Sequence, residues 1–270
     1  SGPGLKGGGV AEGTRDRWAL ILGVSSGFGA AAAVALAGEG FHIAGVHLDR
    51  RRTLAGAEEV ADEIRRRGRE ALFFNVNAAD PGRRAEVIGA LGRIRAGIRL
   101  MLHSLAFGTL RPFLGEDPAL CIRQADLNMT LDVMAHSLVY WTQELRSAGL
   151  LSRGAQVYAM TSAGAHRVWP TYGAVSAAKA ALEAHVRQLA VELAPSGIAV
   201  NALQAGVTDT PAARRIPGSD AMFAAARAAN PGGRLTQPGD VASILVALSR
   251  SESAWMTGNV LRIDGGEDLV

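Results

Sequence analysis

The sequence is poor in the features that mark several classes of protein. Its single cysteine, Cys121, excludes an internal disulfide and is typical of a protein from a reducing cytoplasm. No apolar run reaches the roughly 18 residues that span a bilayer, and the Gly-rich start lacks the apolar centre of a signal peptide. Aromatic residues make up only 5% of the chain and do not alternate with the arginines, which disfavours nucleic-acid binding. No group of His, Cys, Asp and Glu has metal-ligand spacing, so we expect no metal site.

What the chain does have is enough apolar sequence for one large core. It contains 270 residues, of which 48% are hydrophobic, and no linker divides it. We therefore expect a single domain over 15–270, preceded at 1–14 by a flexible tail or an expression remnant. The net charge of +3 fits a solvated basic surface or attraction to an anionic partner.

Short apolar runs alternate with helical stretches along the chain. Strands are predicted at 18–24, 41–48, 71–76, 98–106, 155–162, 197–205 and 259–264. Helices are predicted at 31–40, 54–68, 81–96, 118–148, 172–194 and 239–250, with a polar insertion at about 206–236. Regular alternation with nearly continuous apolar strands indicates an α/β fold, a doubly wound Rossmann-type parallel sheet of about seven strands with helices on both faces.

A glycine-rich turn lies between the first predicted strand and the first helix. In "GVSSGFG" the glycines Gly23, Gly27 and Gly29 fit the pattern G-x-x-x-G-x-G. Glycine lets the backbone turn sharply and approach a pyrophosphate, while the helix start offers free N–H donors. Ser25 and Ser26 add hydroxyl donors, so the turn predicts a dinucleotide site, with a plain tight turn as the alternative.

The end of the second strand is expected beside the adenosine ribose. His47 stands where an acid that favours NAD often lies, and Asp49 follows two residues later. Arg50, Arg51 and Arg52 come next, and a guanidinium there can pair with a 2′-phosphate. The sequence favours NADPH as the cofactor and leaves NADH possible.

"YGAVSAAK" places Tyr172 seven residues before Lys179 in a helical stretch. Seven residues at about 100° each come to about 700°, so both side chains share one helix face, with a rise of about 10 Å between them. Helical side chains lean toward the N-terminus, so Lys179 leans toward Tyr172. The pattern predicts a phenol and an amine in one site, the phenol well beyond the amine.

Together these motifs resemble the short-chain dehydrogenase/reductase family over about 15–270. The carriers of the resemblance are "GVSSGFG", Asn128 in "LNMTLDVMAHSL", the Tyr172/Lys179 pair, "AVNALQAGVTDT" at 199–210 and "IDGG" at 263–266. The resemblance implies an NAD(P)H-dependent oxidoreductase that assembles as a homotetramer.

Most members of that family place tyrosine four residues before lysine, where this chain has Val175. The seven-residue spacing, together with "LHSLAFG" at 102–108, resembles the NADPH-dependent enoyl-acyl-carrier-protein reductases of fatty acid synthesis. In enoyl reduction, hydride reaches the β-carbon while charge develops on the thioester oxygen several bonds away. A more distant phenol suits that task. Asn128 instead matches the carbonyl-reducing members.

The resemblance implies roles for five candidate catalytic residues. Tyr172 hydrogen-bonds the developing enolate oxygen, and Lys179 binds the nicotinamide ribose and supplies positive charge. Thr161 stands where carbonyl reductases carry serine, and Ser162 stands where many enoyl reductases carry a second tyrosine. Asn128 is expected to shape the long helix and a water site more than to act chemically.

The resemblance also assigns further residues to the cofactor and the substrate. Those placed at the dinucleotide are Phe28, Asn77, Ser104, Leu105, Ala106, Gly206, Val207 and Thr208. The segment at about 206–234 is expected to cover the substrate, an enoyl thioester carried by acyl carrier protein, with Arg214 and Arg215 meeting the carrier. Two alternatives stay open: a reductase of 3-oxoacyl thioesters or other ketones, and a silent dinucleotide-binding protein.

Overall fold

One parallel β-sheet organises the protein, whose computed structural model describes residues 17–51 and 53–270. The predicted tail at 1–14 and Arg52 lie outside the described residues. The strands are β1 (Arg17–Leu22), β2 (His42–His47), β3 (Ala71–Asn75), β4 (Gly97–His103), β5 (Leu151–Ser162), β6 (Ala199–Ala205) and β7 (Val260–Ile263). Their order in the sheet is β3-β2-β1-β4-β5-β6-β7, and every neighbouring pair is parallel.

Helices cover both faces of this sheet. They are α1 (Gly27–Gly38), α2 (Leu54–Arg66), α3 (Pro81–Arg93), α4 (Gln124–Leu131), α5 (Ser137–Ser147), α6 (Gly173–Leu193), α7 (Ser219–Ala229) and α8 (Pro238–Ser249). Apolar side chains of α1, α2 and α8 form one core with the sheet, and those of α3 to α6 form the other. Because both faces are covered, the central strands are almost wholly buried, and the predicted doubly wound fold is confirmed.

The strand order reverses beside β1, which pairs with β2 on one side and with β4 on the other. A crevice opens outside the carboxyl ends of the strands at such a point, and ligands of open α/β sheets bind there. The glycine turn, the end of β4 and the end of β5 all lie at this edge.

The helix predicted at 118–148 is divided in the structure. Residues Pro118–Leu120 form one 3₁₀ turn, the chain is extended at Cys121 and Arg123, and α4 begins only at Gln124. A π-helical turn, Asp132–His136, then separates α4 from α5. At this turn the Ser137 hydroxyl donates to the Val133 carbonyl at 2.7 Å.

The structure can also be searched for membrane-spanning helices and for metal-binding groups of side chains. Among the described residues, no helix is long and apolar enough to cross a bilayer. Within the same ranges, no group of three or more His, Cys, Asp and Glu side chains is arranged to hold a metal ion.

Candidate active site

The glycine turn is built so that side chains are excluded from it. Gly23 has a φ of 91°, and a Cβ there would overlap the Ser104 carbonyl. A Cβ on Gly29 would overlap the carbonyl of Gly23, which lets the first turn of α1 pack directly on the end of β1. Gly27 also has a positive φ, of 55°. This close-packed backbone is what a dinucleotide pyrophosphate requires, so the residues present fit such a group.

The start of α1 leaves donors available at this turn. Ser26 is the N-cap residue, yet its side chain makes no capping hydrogen bond. The first N–H groups of α1 are therefore free to bind an anion. Thr210, from the chain after β6, lies against Gly27, its Cγ2 about 3.5 Å from where a Cβ would stand. Thr210 belongs to the motif at 199–210, but the sequence predicted cofactor contacts only as far as Thr208.

The end of β2 carries a compact polar group. His47 is buried, and its Nδ1 lies 2.9 Å from Asp49 Oδ2. Burial is the largest influence on Asp49 and acts upward, but hydrogen bonds from Thr53, Ser25 and His47 outweigh it and lower the pKa. Asp49 is therefore an ionised carboxylate that links β2 to the glycine turn.

Asn75, at the end of β3, also belongs to this polar group, and the sequence did not predict its role. Its side chain accepts from the Asp49 N–H and donates to the Asp49 carbonyl, both at 2.9 Å. Asn77, the predicted residue, is exposed and accepts from the N–H of Ala79 within its own loop. Arg50 and Arg51 are exposed and make no ion pair with other described residues.

The exit of β4 lines the same crevice. Ser104 donates its N–H to the Leu22 carbonyl at 2.8 Å, which holds this loop against the glycine turn. Leu105 is half-buried and Ala106 is exposed, and Phe28, on α1, is also half-buried. The loop therefore adjoins the glycine turn, and its contacts with a cofactor stay a prediction.

Tyr172 is the residue that precedes the first turn of α6. Its ring packs over Gly164, where a Cβ would lie 2.6 Å from Tyr172 Cε1. Burial raises the pKa of Tyr172, and the neighbouring Ser162 hydroxyl opposes that shift. The phenol therefore keeps its proton at neutral pH and can act as a hydrogen-bond donor.

The residue before Tyr172 holds a strained backbone. Thr171 has a φ of 63°, a conformation that is unfavourable for a β-branched side chain. Its buried hydroxyl has no hydrogen-bond partner among the described residues. Such strain costs on the order of 1–3 kcal/mol and persists where the surrounding structure imposes it.

We expect Thr171→Asn to stabilise the protein by about 1 kcal/mol, since asparagine tolerates the left-handed region. Thr171→Ala also removes the β-branch but lacks the polar side chain that favours the left-handed region, so it should gain less. Urea unfolding of both variants measures the difference. Equal stability of Thr171→Asn and the wild type would show that the backbone here is not under strain.

Ser162 and Thr161 end β5 and point in opposite directions, as consecutive strand residues do. Ser162 Oγ is buried beside the Tyr172 ring and makes no well-aligned hydrogen bond among the described residues. Thr161 instead donates to Glu183 Oε1 on α6 at 2.6 Å. The two predicted donors therefore separate: Ser162 adjoins Tyr172, and Thr161 is engaged by a carboxylate.

Lys179 lies on α6 at the floor of the site. Its side chain is buried, and Nζ donates to the Met160 carbonyl of β5 at 2.6 Å. Burial lowers the pKa of Lys179 to about 8, while the Glu183 carboxylate acts in the opposite direction. Tyr172 is therefore the residue just before α6 and Lys179 lies within α6, with the amine fixed to the strand beside the crevice.

Val175 occupies the position one turn before Lys179. It is buried, and its Cγ2 lies 2.8 Å from where a Cβ on Gly108 would stand, next to Thr130. The position is filled by an apolar group packed against the loop after β4. Tyr172 is thus the phenol that the helix presents.

Asn128 does not join these groups. It is exposed and lines a surface depression with Met129, Leu131, Asp132 and His136. Thr130, two residues further on, is buried and hydrogen-bonds the Thr109 N–H. Residues two apart on a helix point about 200° apart, so Asn128 faces away from the side of α4 that packs toward α6. The expected role of Asn128 in shaping the helix and a water site stays a prediction.

The loop after β6 is held by the segment that follows β7. Glu267 accepts from the Val207 N–H at 3.0 and 3.1 Å, so this predicted cofactor donor is already engaged. Thr208 donates to the Gly206 carbonyl at 2.9 Å. A Cβ on Gly206 would meet Thr236 and Glu267, so the backbone approaches closely here.

Asp268 connects that segment to the loop before Tyr172. Its buried carboxylate lies 2.8 Å from Arg167 Nε and 3.0 Å from His166 Nε2, and it accepts from Gln204 at 2.9 Å. The loops on both sides of the crevice are therefore tied to one short segment. This arrangement could not be inferred from the motif "IDGG" alone.

Comparisons with known proteins agree with this geometry. A family model described as enoyl-(acyl carrier protein) reductase matches residues 23–267. Subunit BbsD of (2S)-[(R)-hydroxy(phenyl)methyl]succinyl-CoA dehydrogenase from Thauera aromatica is 29% identical over 265 residues, 95% of this chain and 98% of the relative. The NADH-dependent enoyl-[acyl-carrier-protein] reductase FabI of Escherichia coli K12 is 31% identical over 176 residues, 65% of this chain and 66% of FabI.

A solved structure extends the likeness to the whole fold. The enoyl-[acyl-carrier-protein] reductase (NADH) of Aquifex aeolicus VF5 superposes with a TM-score of 0.81 at 25% identity, covering 94% of this chain and 97% of that one. The chain belongs to the short-chain dehydrogenase/reductase family and is an NAD(P)-dependent oxidoreductase.

Proposed function

We propose that this protein reduces the 2,3 double bond of a trans-2-enoyl thioester. The observation that carries the proposal is the position of Tyr172, just before the first turn of α6 and seven residues before Lys179, while Val175 fills the nearer position with a buried apolar group. The phenol next to α6 therefore precedes the amine by about two helical turns instead of one.

The chain's own residues supply the electrostatics of that reaction. A bound reduced nicotinamide would supply the hydride to the β-carbon of the alkene. Tyr172, protonated at neutral pH, donates a hydrogen bond to the thioester oxygen, where negative charge develops. Lys179 holds positive charge below the phenol and would bind the nicotinamide ribose. Ser162 Oγ is buried beside the Tyr172 ring.

Apolar side chains around the mouth of the crevice suit an acyl chain. Phe113 lies against Gly173, at the start of α6, and is 54% exposed. Phe107 and Leu114 belong to the same loop and are also exposed, and Val168 precedes Tyr172 with 95% of its surface exposed. Apolar groups that are open to solvent at the entrance of a site favour an apolar ligand.

We propose NADPH as the cofactor, with NADH as the alternative. The exposed Arg50 and Arg51, which make no ion pair with the described residues, are available to a 2′-phosphate. Asp49 is the feature that favours NADH. Its carboxylate is already engaged by Thr53, Ser25 and His47, which limits its capacity to bind ribose hydroxyls.

The carrier of the thioester is proposed to be acyl carrier protein. Arg215 is exposed near the crevice and forms no ion pair with the described residues, whereas Arg214 is bound by Asp209 through two contacts of 2.6 Å. Arg215 is therefore the better candidate to meet an acidic partner. The homotetramer and the place of the protein in fatty acid synthesis remain proposals drawn from the family resemblance.

Carbonyl reduction is the second candidate. The buried Ser162 hydroxyl beside Tyr172 gives a pair of donors that a ketone oxygen could accept from directly. The name of the Thauera aromatica relative, a dehydrogenase subunit, agrees with it.

A paired assay separates the two functions. Crotonyl and acetoacetyl thioesters, each on coenzyme A and on acyl carrier protein, are incubated with NADPH and with NADH. We expect the crotonyl substrate to consume NADPH with a kcat/KM at least about tenfold above that for the acetoacetyl substrate. Turnover of the acetoacetyl substrate alone would establish the carbonyl reductase. Tight NADPH binding without turnover of either would indicate a silent binding protein.

A further inference from the structure

The Lys179 ammonium is buried with little to balance its charge. Only 5% of the residue is exposed, and its hydrogen-bond acceptor, the Met160 carbonyl at 2.6 Å, is neutral. A buried ammonium loses its proton unless a negative charge lies nearby. Something in the structure must therefore hold Lys179 in the charged form that a role beside Tyr172 requires.

Glu183 is the carboxylate in position to do so. It lies four residues after Lys179 on α6, so the two side chains share one face of the helix. The Thr161 hydroxyl donates to Glu183 Oε1 at 2.6 Å. Met160 and Thr161 are consecutive on β5. The Met160 carbonyl binds the Lys179 amine, and the Thr161 hydroxyl binds the Glu183 carboxylate.

The other titratable groups around Lys179 carry no negative charge. His103, at the end of β4, is fully buried; burial first and then the Lys179 charge lower the pKa of His103 to about 3, so it is neutral. Burial raises the pKa of Tyr172, at the start of α6, so the phenol is neutral as well. Among the residues that the structure describes, Glu183 is the one carboxylate that acts on Lys179.

We propose that Glu183 is the counter-ion that keeps Lys179 protonated, and that Thr161 is the residue that fixes it. Neither touches the reacting atoms, so both are positioning residues that act through Lys179. This inference rests on the proposed function only in giving Lys179 a role in turnover. Thr161, expected from the sequence to act at the substrate, acts here on Glu183.

The consequence is a defined pH dependence. The folded-state pKa of Lys179 is lowered to about 8, so the ammonium is present below that pH and is lost as the pH rises through it. Without the Glu183 carboxylate the pKa falls further, and the alkaline limb of activity moves to lower pH. Each unit of that movement is a tenfold change in the protonation equilibrium.

The chain offers an unusually direct test, because Lys179 and Lys6 are its only lysines. Protein labelled with ¹³C at lysine Cε gives two NMR signals, which a Lys6→Arg variant assigns. We expect Glu183→Gln to lower the Lys179 titration midpoint by about one unit, an effect that Glu192→Gln, on the same helix, should lack. Thr161→Val should lower the Lys179 midpoint by less. Thr161→Ser keeps the hydroxyl and should leave the midpoint at the wild-type value.

An unchanged midpoint in Glu183→Gln would overturn the proposal. If that variant does not fold, Thr161→Val and Thr161→Ser test the same network. Because the midpoint is read without substrate, a shift in Glu183→Gln together with no enoyl turnover would support the counter-ion and refute the proposed function. Enoyl turnover with no shift would do the reverse.

Discussion

Tyr172→Phe should lower kcat for an enoyl thioester about 100- to 1,000-fold, the usual effect of removing one preorganised donor to a developing oxyanion. The ring packs over Gly164 and should stay in place, because the change removes only the hydroxyl. The KM of the substrate and the Kd of NADPH should change little, since the lost hydrogen bond strengthens only as charge develops. Steady-state kinetics and NADPH fluorescence titration measure these quantities.

Tyr140→Phe is the matched control. It makes the same chemical change on α5, where the ring lies under Arg84 at 5.1 Å, and kcat should stay within about twofold. Wild-type kcat in Tyr172→Phe would remove Tyr172 from the reaction. Equal losses in both variants would point to a general defect in the fold.

Gly29→Ala should greatly weaken the binding of the cofactor. A Cβ at this position overlaps the carbonyl of Gly23, which is backbone and cannot move aside without opening the turn. We expect the Kd of NADPH to rise about 100-fold, equivalent to about 3 kcal/mol, because the N–H groups of α1 would no longer meet the pyrophosphate. Isothermal titration calorimetry measures the loss directly.

Gly92→Ala provides the contrast for that variant. Gly92 lies in α3, and a Cβ there meets nothing within 4 Å. Alanine in this helix should stabilise the protein by roughly 0.5–1 kcal/mol and leave the Kd unchanged. Normal cofactor affinity in Gly29→Ala would contradict the assignment of the glycine turn to the pyrophosphate.

The fold could be predicted largely because its signals are local. Buried parallel strands such as β1 are apolar along almost their whole length, and glycines punctuate the turns, so the sheet can be predicted one element at a time. The helix that carries Tyr172 and Lys179 was predicted at 172–194 and runs over Gly173–Leu193. Positions along one helix follow from residue spacing alone, so the places of Tyr172 and Lys179 could be predicted from the sequence.

Contacts between elements were harder to predict. Thr161 and Ser162 are adjacent in sequence, yet only the pleat of β5 in its sheet decides that one meets Glu183 and the other lies beside Tyr172. Asn128 resembles a family position, but the sequence does not show which face of α4 packs inward, and Asn128 is exposed in the structure. Asn75 and Asp268 depend on loops that come together only in the folded chain.

In the proposed reaction, hydride reaches an alkene carbon while Tyr172 binds an oxygen several bonds away. NMR can test this by locating deuterium in the product formed from crotonyl thioester and reduced nicotinamide labelled at C4. We expect deuterium at C3 and a solvent-derived proton at C2 of the butyryl product. An unlabelled, unreacted crotonyl substrate, with deuterium appearing instead on the hydroxyl-bearing carbon when acetoacetyl thioester is supplied, would contradict it.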